Sequence, residues 1–254
     1  MIYTGLVSVT FRQLKPIEII RLVKKAGLDG IEWGGDIHVP HGDIHTAIET
    51  FKMTEDEGLH IAAYGSYYQV GCQTDKESFE AILGTAVALH APTIRVWAGN
   101  LASNVTNKAT RESIIADTVR IADIAAKAGV TISFEYHPDT LTDTSESACR
   151  LMNEVSRHNI RSYWQINTDD DQDSRVASLY NIIPWLSNVH VSCVRNNANV
   201  ELIHGSDEWM GYINVLQKLE DERFCMIEFV KDHNPDQFLR DADVLKGFLS
   251  GTTR

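Results

Sequence analysis

"AKAGVTISFEYHP", residues 126–138, decides the fold. Its first residues close a segment with helical spacing that begins near residue 107, and Gly129 supplies the left-handed turn on which helices commonly end. Then follows an apolar run, 131–137, that finishes in a carboxylate, a phenol and an imidazole. A strand this apolar is expected to be covered on both faces, as in a parallel sheet. Such a strand has little use for Glu135 unless a positive charge waits at its end.

The same punctuation recurs along the whole chain. Strand-like runs occupy 3–9, 30–34, 60–65, 93–99, 131–137, 162–167, 188–193 and 224–230. Segments of helical period lie between them; in "IEIIRLVKKAGL" (17–28), Ile17, Ile20, Leu22, Val23 and Ala26 make one apolar face. Two more helices close on Gly, in "KKAGLDG" (24–30) and "DEGLH" (56–60). Six strand–helix units would suit a doubly wound sheet. Eight in 254 residues fit a closed (β/α)8 TIM barrel, an α/β fold, with the last strand beside the first. No Gly-rich phosphate loop follows the first strand, where "SVTFRQLKP" (8–16) stands, and no linker-like stretch divides the chain. The expectation is one domain over 1–254.

Composition narrows the function classes. The net charge is −12 and no Lys/Arg run occurs, which argues against nucleic acid as a partner. No apolar stretch approaches the roughly 20 residues that span a bilayer, and no signal-peptide pattern opens the chain. Cys72, Cys149, Cys193 and Cys225 are scattered and form no C-x-x-C pair. They read as reduced thiols of a cytoplasmic protein. Homo-oligomerisation is left open.

In a barrel of this kind the chemistry sits at the C-terminal ends of the strands. The polar residues there are Glu32, Tyr64 with Ser66, Arg95 with Trp97, Glu135 with His137, Gln165 with Asn167, His190, and Glu228. Glu135, Gln165, His190 and Glu228 come from four consecutive strands. Two carboxylates brought together would repel unless a cation joined them, and with an imidazole they suit one divalent ion, Mn²⁺, Mg²⁺, Co²⁺ or Zn²⁺. Glu135 is therefore expected to face a metal. Singly, each residue has a plainer reading: His190 as a hydrogen-bonded core histidine, either Glu in an internal salt bridge.

"AGLDGIEWGG" (26–35), "ISFEYHP" (132–138), "NVHV" (188–191) and "MIEFV" (226–230) together resemble the xylose isomerase-like barrels. That group of sugar and sugar-phosphate isomerases and epimerases includes tagatose-type epimerases, hydroxypyruvate isomerase and inosose dehydratase. The resemblance covers essentially the whole chain. It implies Glu, Asp, His and Glu on one metal, positions that fall on Glu135, Gln165, His190 and Glu228. "WQIN" (164–167) departs from it, since an amide that brings no charge stands where Asp is usual, and Thr168 replaces the histidine that usually follows.

Around this quartet the sequence offers substrate contacts. His38 lies in "EWGGDIHVPHGD" (32–43); Tyr64, Ser66 and Tyr68 lie in "YGSYYQVG" (64–71), whose tyrosines would wall a sugar ring. Arg95, inside an apolar strand, needs an anion: Glu32, Glu135 or a substrate group. Glu32 and His137 complete the strand-end set, and the resemblance places Arg195 near substrate. A small carbohydrate is the expected partner. The leading expectation is an isomerase or epimerase in which Glu135 and Glu228 move a proton through an enediolate. A metal-dependent lyase of the inosose-dehydratase type shares that first step, and Gln165 also admits a sugar-binding barrel whose catalysis has decayed.

Overall fold

In the computed structural model, which describes residues 1–72 and 78–251, the alternation closes as expected. The remaining residues of the expected single domain lie outside the described ones. The barrel strands are β1 (Ile2–Val7), β2 (Gly30–Gly34), β3 (His60–Gln69), β4 (Thr93–Trp97), β5 (Thr131–Phe134), β6 (Ile160–Trp164), β7 (Leu186–Val191) and β10 (Arg223–Ile227). They pair in parallel in the order β1-β10-β7-β6-β5-β4-β3-β2, closed by β1 on β2. Between β7 and β10 a small antiparallel ribbon, β8 (Val194–Arg195) with β9 (Ala198–Asn199), stands at the mouth.

Helices α1 (Pro16–Ala26), α2 (Ile44–Asp56), α3 (Phe79–Ala88), α4 (Lys108–Lys127), α5 (Ser145–Val155), α6 (Gln172–Ile182), α7 (Ser206–Leu216) and α8 (Pro235–Ser250) form the outer layer. Their ends follow the sequence signals. Pro opens α1 and α8 at the first turn, where its missing N–H costs nothing. Asn234 Oδ1 caps α8 by accepting from the Asp236 N–H at 2.8 Å, and Gly27, at φ 65°, ends α1.

Strands that read as continuously apolar alternate once their two faces are seen. Ile31, Trp33, Ile94, Val96, Ile132, Phe134, Trp164, Val189, Val191, Cys225 and Ile227 point outward into the large core beneath the helices. The residues between them point inward. Val7, Val9, Ala62, Ala63, Tyr163 and Met226 make the small interior cluster, and the polar strand-end residues sit above it. β2 ends where expected and β3 runs on to Gln69, but the other strands end sooner than expected: β5, β6 and β10 stop one residue before Glu135, Gln165 and Glu228. The ladder ends where the side chains turn to one another. All four cysteines are free thiols, Cys193 and Cys225 buried. No helix of the described residues is long and apolar enough to cross a membrane.

Candidate functional site

Alternation places Glu135, Gln165, His190 and Glu228 on the inner side of four neighbouring strands, at one mouth. One ligand atom each from Glu135, His190 and Glu228 lies within 4.8 Å of the others. His190 Nδ1 is 2.9 Å from Gln165 Oε1, 3.1 Å from Glu228 Oε2 and 3.9 Å from Glu135 Oε1. Three oxygens thus converge on one nitrogen. Distances of about 2.0–2.2 Å from ion to ligand put neighbouring donors about 3 Å apart, so this set fits a single divalent cation.

Charge explains why the cluster holds together. Burial would lower the His190 imidazole, but Glu228 and Glu32 outweigh it and raise it to about 10. Burial would likewise raise Glu228, yet His190 and Arg95 hold its carboxyl below the usual range. In the cation-free protein a proton on Nδ1 thus occupies the place where an ion would sit.

The carboxylates of Glu135 and Glu228 are not equivalent. Glu135 Oε2 accepts from the Trp97 Nε1–H at 2.6 Å and from Arg95 Nη1, so it is clamped by two donors. Among the described residues the Glu228 carboxylate has one close polar partner, His190. Arg95 resolves the question its sequence posed by taking both carboxylates at once, with Nε on Glu32 Oε1 at 2.6 Å and Nη1 on Glu135.

The cavity over this cluster measures about 390 Å³, room for a small ligand. Arg95, Trp97, Glu135, His137, Gln165 and Glu228 line it, and Arg12, Tyr67, Phe229 and Asn199 close its rim.

A family model for the xylose isomerase-like TIM barrel matches residues 20–248. The chain belongs to the xylose isomerase-like TIM barrel family. Among curated relatives, a 3-dehydroshikimate dehydratase of Bacillus anthracis is 23% identical over 214 residues, covering 79% of this chain and 74% of its own. Among solved structures, a probable 3-DHS dehydratase of the same organism superposes with a TM-score of 0.82 at 21% identity, over 97% of this chain and 99% of that one. A 3-keto-D-glucoside 4-epimerase from E. coli reaches 0.77 at 16% identity, over 98% of this chain and 100% of that one. The relatives are enzymes of this barrel type.

Within the xylose isomerase-like mouth, not every expected contact reaches the cavity. His137 does, stacked on Trp97 with ring centroids 4.9 Å apart and Nδ1 2.6 Å from the Pro138 carbonyl. Glu32 is fully buried beneath the cluster. His38 bonds Ser8 Oγ and the Leu14 carbonyl, so it ties down the loop after β1 instead of lining the mouth. The Tyr64 hydroxyl donates to the Val39 carbonyl, and Ser66 donates to the Arg95 carbonyl. Tyr68 bonds Asp117 and Arg120 on α4, outside the barrel. Arg195 turns to Glu208 on α7 at 2.5 Å.

The split between the tyrosines has a backbone cause. The pairing of β3 with β4 jumps from Gly65–Arg95 to Tyr68–Val96, leaving Ser66 and Tyr67 without partners. Tyr67 takes a left-handed φ of 56° and swings inward. Arg12 and Phe229 went unnoticed in the sequence. Their only signal was adjacency to strand ends, Phe229 directly after Glu228.

Proposed function

We propose that the protein is a divalent-metal-dependent lyase acting on a small polyhydroxylated ketone, removing the proton beside the carbonyl and then expelling a hydroxyl one carbon further on. The observation that carries this reading is the inequality of Glu135 and Glu228. An epimerase that inverts a carbon needs a competent base on each face. Here Glu135 is clamped by Trp97 and Arg95, while Glu228 keeps a carboxylate oxygen turned to no donor among the described residues. One base with a carboxylate oxygen left without a donor suits chemistry on one face.

Glu135, His190 and Glu228, with Gln165 as a neutral fourth donor, would hold the ion. When bound it would polarise the substrate carbonyl and stabilise the negative charge that develops there. Glu228 takes the proton from the carbon beside the carbonyl, and the electron pair enters the enolate. Collapse of the enolate forms the carbon–carbon double bond and breaks the bond to the β-hydroxyl. That hydroxyl leaves with the proton held by Glu228, so the products are an enone and one water. Trp97, Tyr67 and Phe229 shield the reacting carbon from bulk water. The Bacillus anthracis relative, named as a dehydratase, supports the same outcome.

The test incubates purified, Mn²⁺-loaded protein with a panel of cyclic and open-chain 3-keto polyols. Ultraviolet absorbance reads enone, and mass spectrometry in D₂O reads exchange. Enone formation lost in Glu228→Gln supports a lyase. Deuterium incorporation with inversion and no water loss would establish an epimerase instead.

A further inference from the structure

One carboxylate stands under the cluster without reaching the cavity. Glu32 is 0% exposed. Its Oε1 accepts from Arg95 Nε at 2.6 Å; its Oε2 accepts from the Tyr163 hydroxyl at 2.9 Å and lies 3.4 Å from His190 Nε2. The Tyr163 oxygen accepts in turn from Asn188 Nδ2 at 3.0 Å, which directs its own proton to Glu32. Arg95 and Tyr163 are donors, so Glu32 remains an acceptor-only anion facing His190.

The two nitrogens of His190 meet different surroundings. Nδ1 faces Gln165, Glu228 and Glu135, while Nε2 faces Glu32. A ligating imidazole carries one N–H and one lone pair. The charge of Glu32 is already matched by Arg95 and sealed from the mouth, so the N–H belongs there. The lone pair then points among the three oxygens. The same carboxylate reaches a second ligand, because Arg95 spans from Glu32 to Glu135. Gly65 leaves the room for this: a Cβ there would fall 2.8 Å from Arg95 Nη2 and 2.9 Å from Glu32 Oε1.

We infer that Glu32 is the positioning residue of the metal site, holding the Nε2–H of His190 so that Nδ1 ligates, and fixing through Arg95 which oxygen of Glu135 is left for the ion. This rests on the metal reading above and gives Glu32 an indirect role in place of the substrate contact its strand-end position suggested. Carboxylates behind histidine ligands commonly set ring orientation and basicity, and their loss costs about 10- to 100-fold in metal affinity.

Two measurements test it. In Zn²⁺-loaded protein with ¹⁵N-labelled histidine, the His190 signal (assigned with His190→Gln) should carry a slowly exchanging proton on Nε2. Glu32→Gln keeps the shape and should move that proton upfield, while calorimetric Mn²⁺ affinity falls by about 10- to 100-fold. Glu32→Asp, which keeps the charge, should restore part of the affinity. If Glu32→Gln does not fold, Tyr163→Phe serves: it removes a donor competing for Oε2, so the Nε2 proton should move further downfield. A proton on Nδ1 overturns the inference, as does an Nε2 signal unmoved in whichever variant folds. Wild-type protein that takes up neither ion overturns the metal reading itself; normal uptake with an unresponsive Nε2 signal overturns the role of Glu32 alone.

Discussion

Gln165→Glu is the perturbation whose magnitude the site predicts most directly. The substitution keeps length and shape and places a charge where Gln165 Oε1 now stands, 2.9 Å from His190 Nδ1. In the cation-free protein the imidazole raised to about 10 carries a proton there at neutral pH. Loading a divalent ion exchanges one positive charge for two, so the new carboxylate gains the attraction of one additional unit charge. At about 3 Å that attraction is roughly 1.4 kcal/mol in a water-like dielectric and roughly 5.5 kcal/mol at an effective dielectric of about 20. The carboxylate is equally buried before and after loading, so its desolvation largely cancels. Affinity should therefore rise by about 2–4 kcal/mol, roughly 30- to 700-fold. Gln165→Leu, which removes a neutral donor, should lower it. Mn²⁺ calorimetry at pH 7 on the three proteins decides. Turnover need not follow affinity, since a more neutralised ion polarises a carbonyl less. Equal affinity in all three proteins would refute ligation by Gln165 and leave a three-residue site.

Three further outcomes are expected. Glu228→Gln should lose roughly 10²-fold or more in kcat, whereas Glu135→Gln should show itself first as weaker Mn²⁺ binding; the reverse pattern in steady-state kinetics and calorimetry would reassign the base. In chelator-treated protein, His190 raised to about 10 contributes stability that is complete below its ordinary value near 6.5 and fades as pH climbs toward 10. Glu32, held at about 2 because Arg95 and His190 outweigh its burial, contributes stability that fades as pH falls below about 4.5. Thermal melts should thus be flattest between those limits, and the alkaline decline should vanish in His190→Gln. Gly65→Ala should push on the Arg95–Glu32 pair and cost about 1–3 kcal/mol in urea unfolding, with unchanged stability showing that the pair has slack.

The sequence by itself determined the barrel, because eight strand–helix alternations, several of the helices stopped by Gly and the last opened by Asn234-Pro235, are local signals. It also named the quartet Glu135, Gln165, His190 and Glu228, since strand order turns "last polar residue of the strand" into a position at one mouth. What it could not give was the second layer of decisions. Tyr67 and Tyr68 are neighbours of similar chemistry, and only the bulge in β3 sends one into the cavity and the other to Asp117. Arg195 looks free in sequence but lies 13 residues from the Glu208 that captures it. Arg95 needed an anion, yet only closure of the barrel brings two carboxylates to it from opposite sides in sequence. Glu32 and His190 are 158 residues apart, and no local pattern encodes which nitrogen of a ring another strand's carboxylate will touch. The period of a strand fixes which residues share a face; inter-strand register and close packing fix what each of them meets.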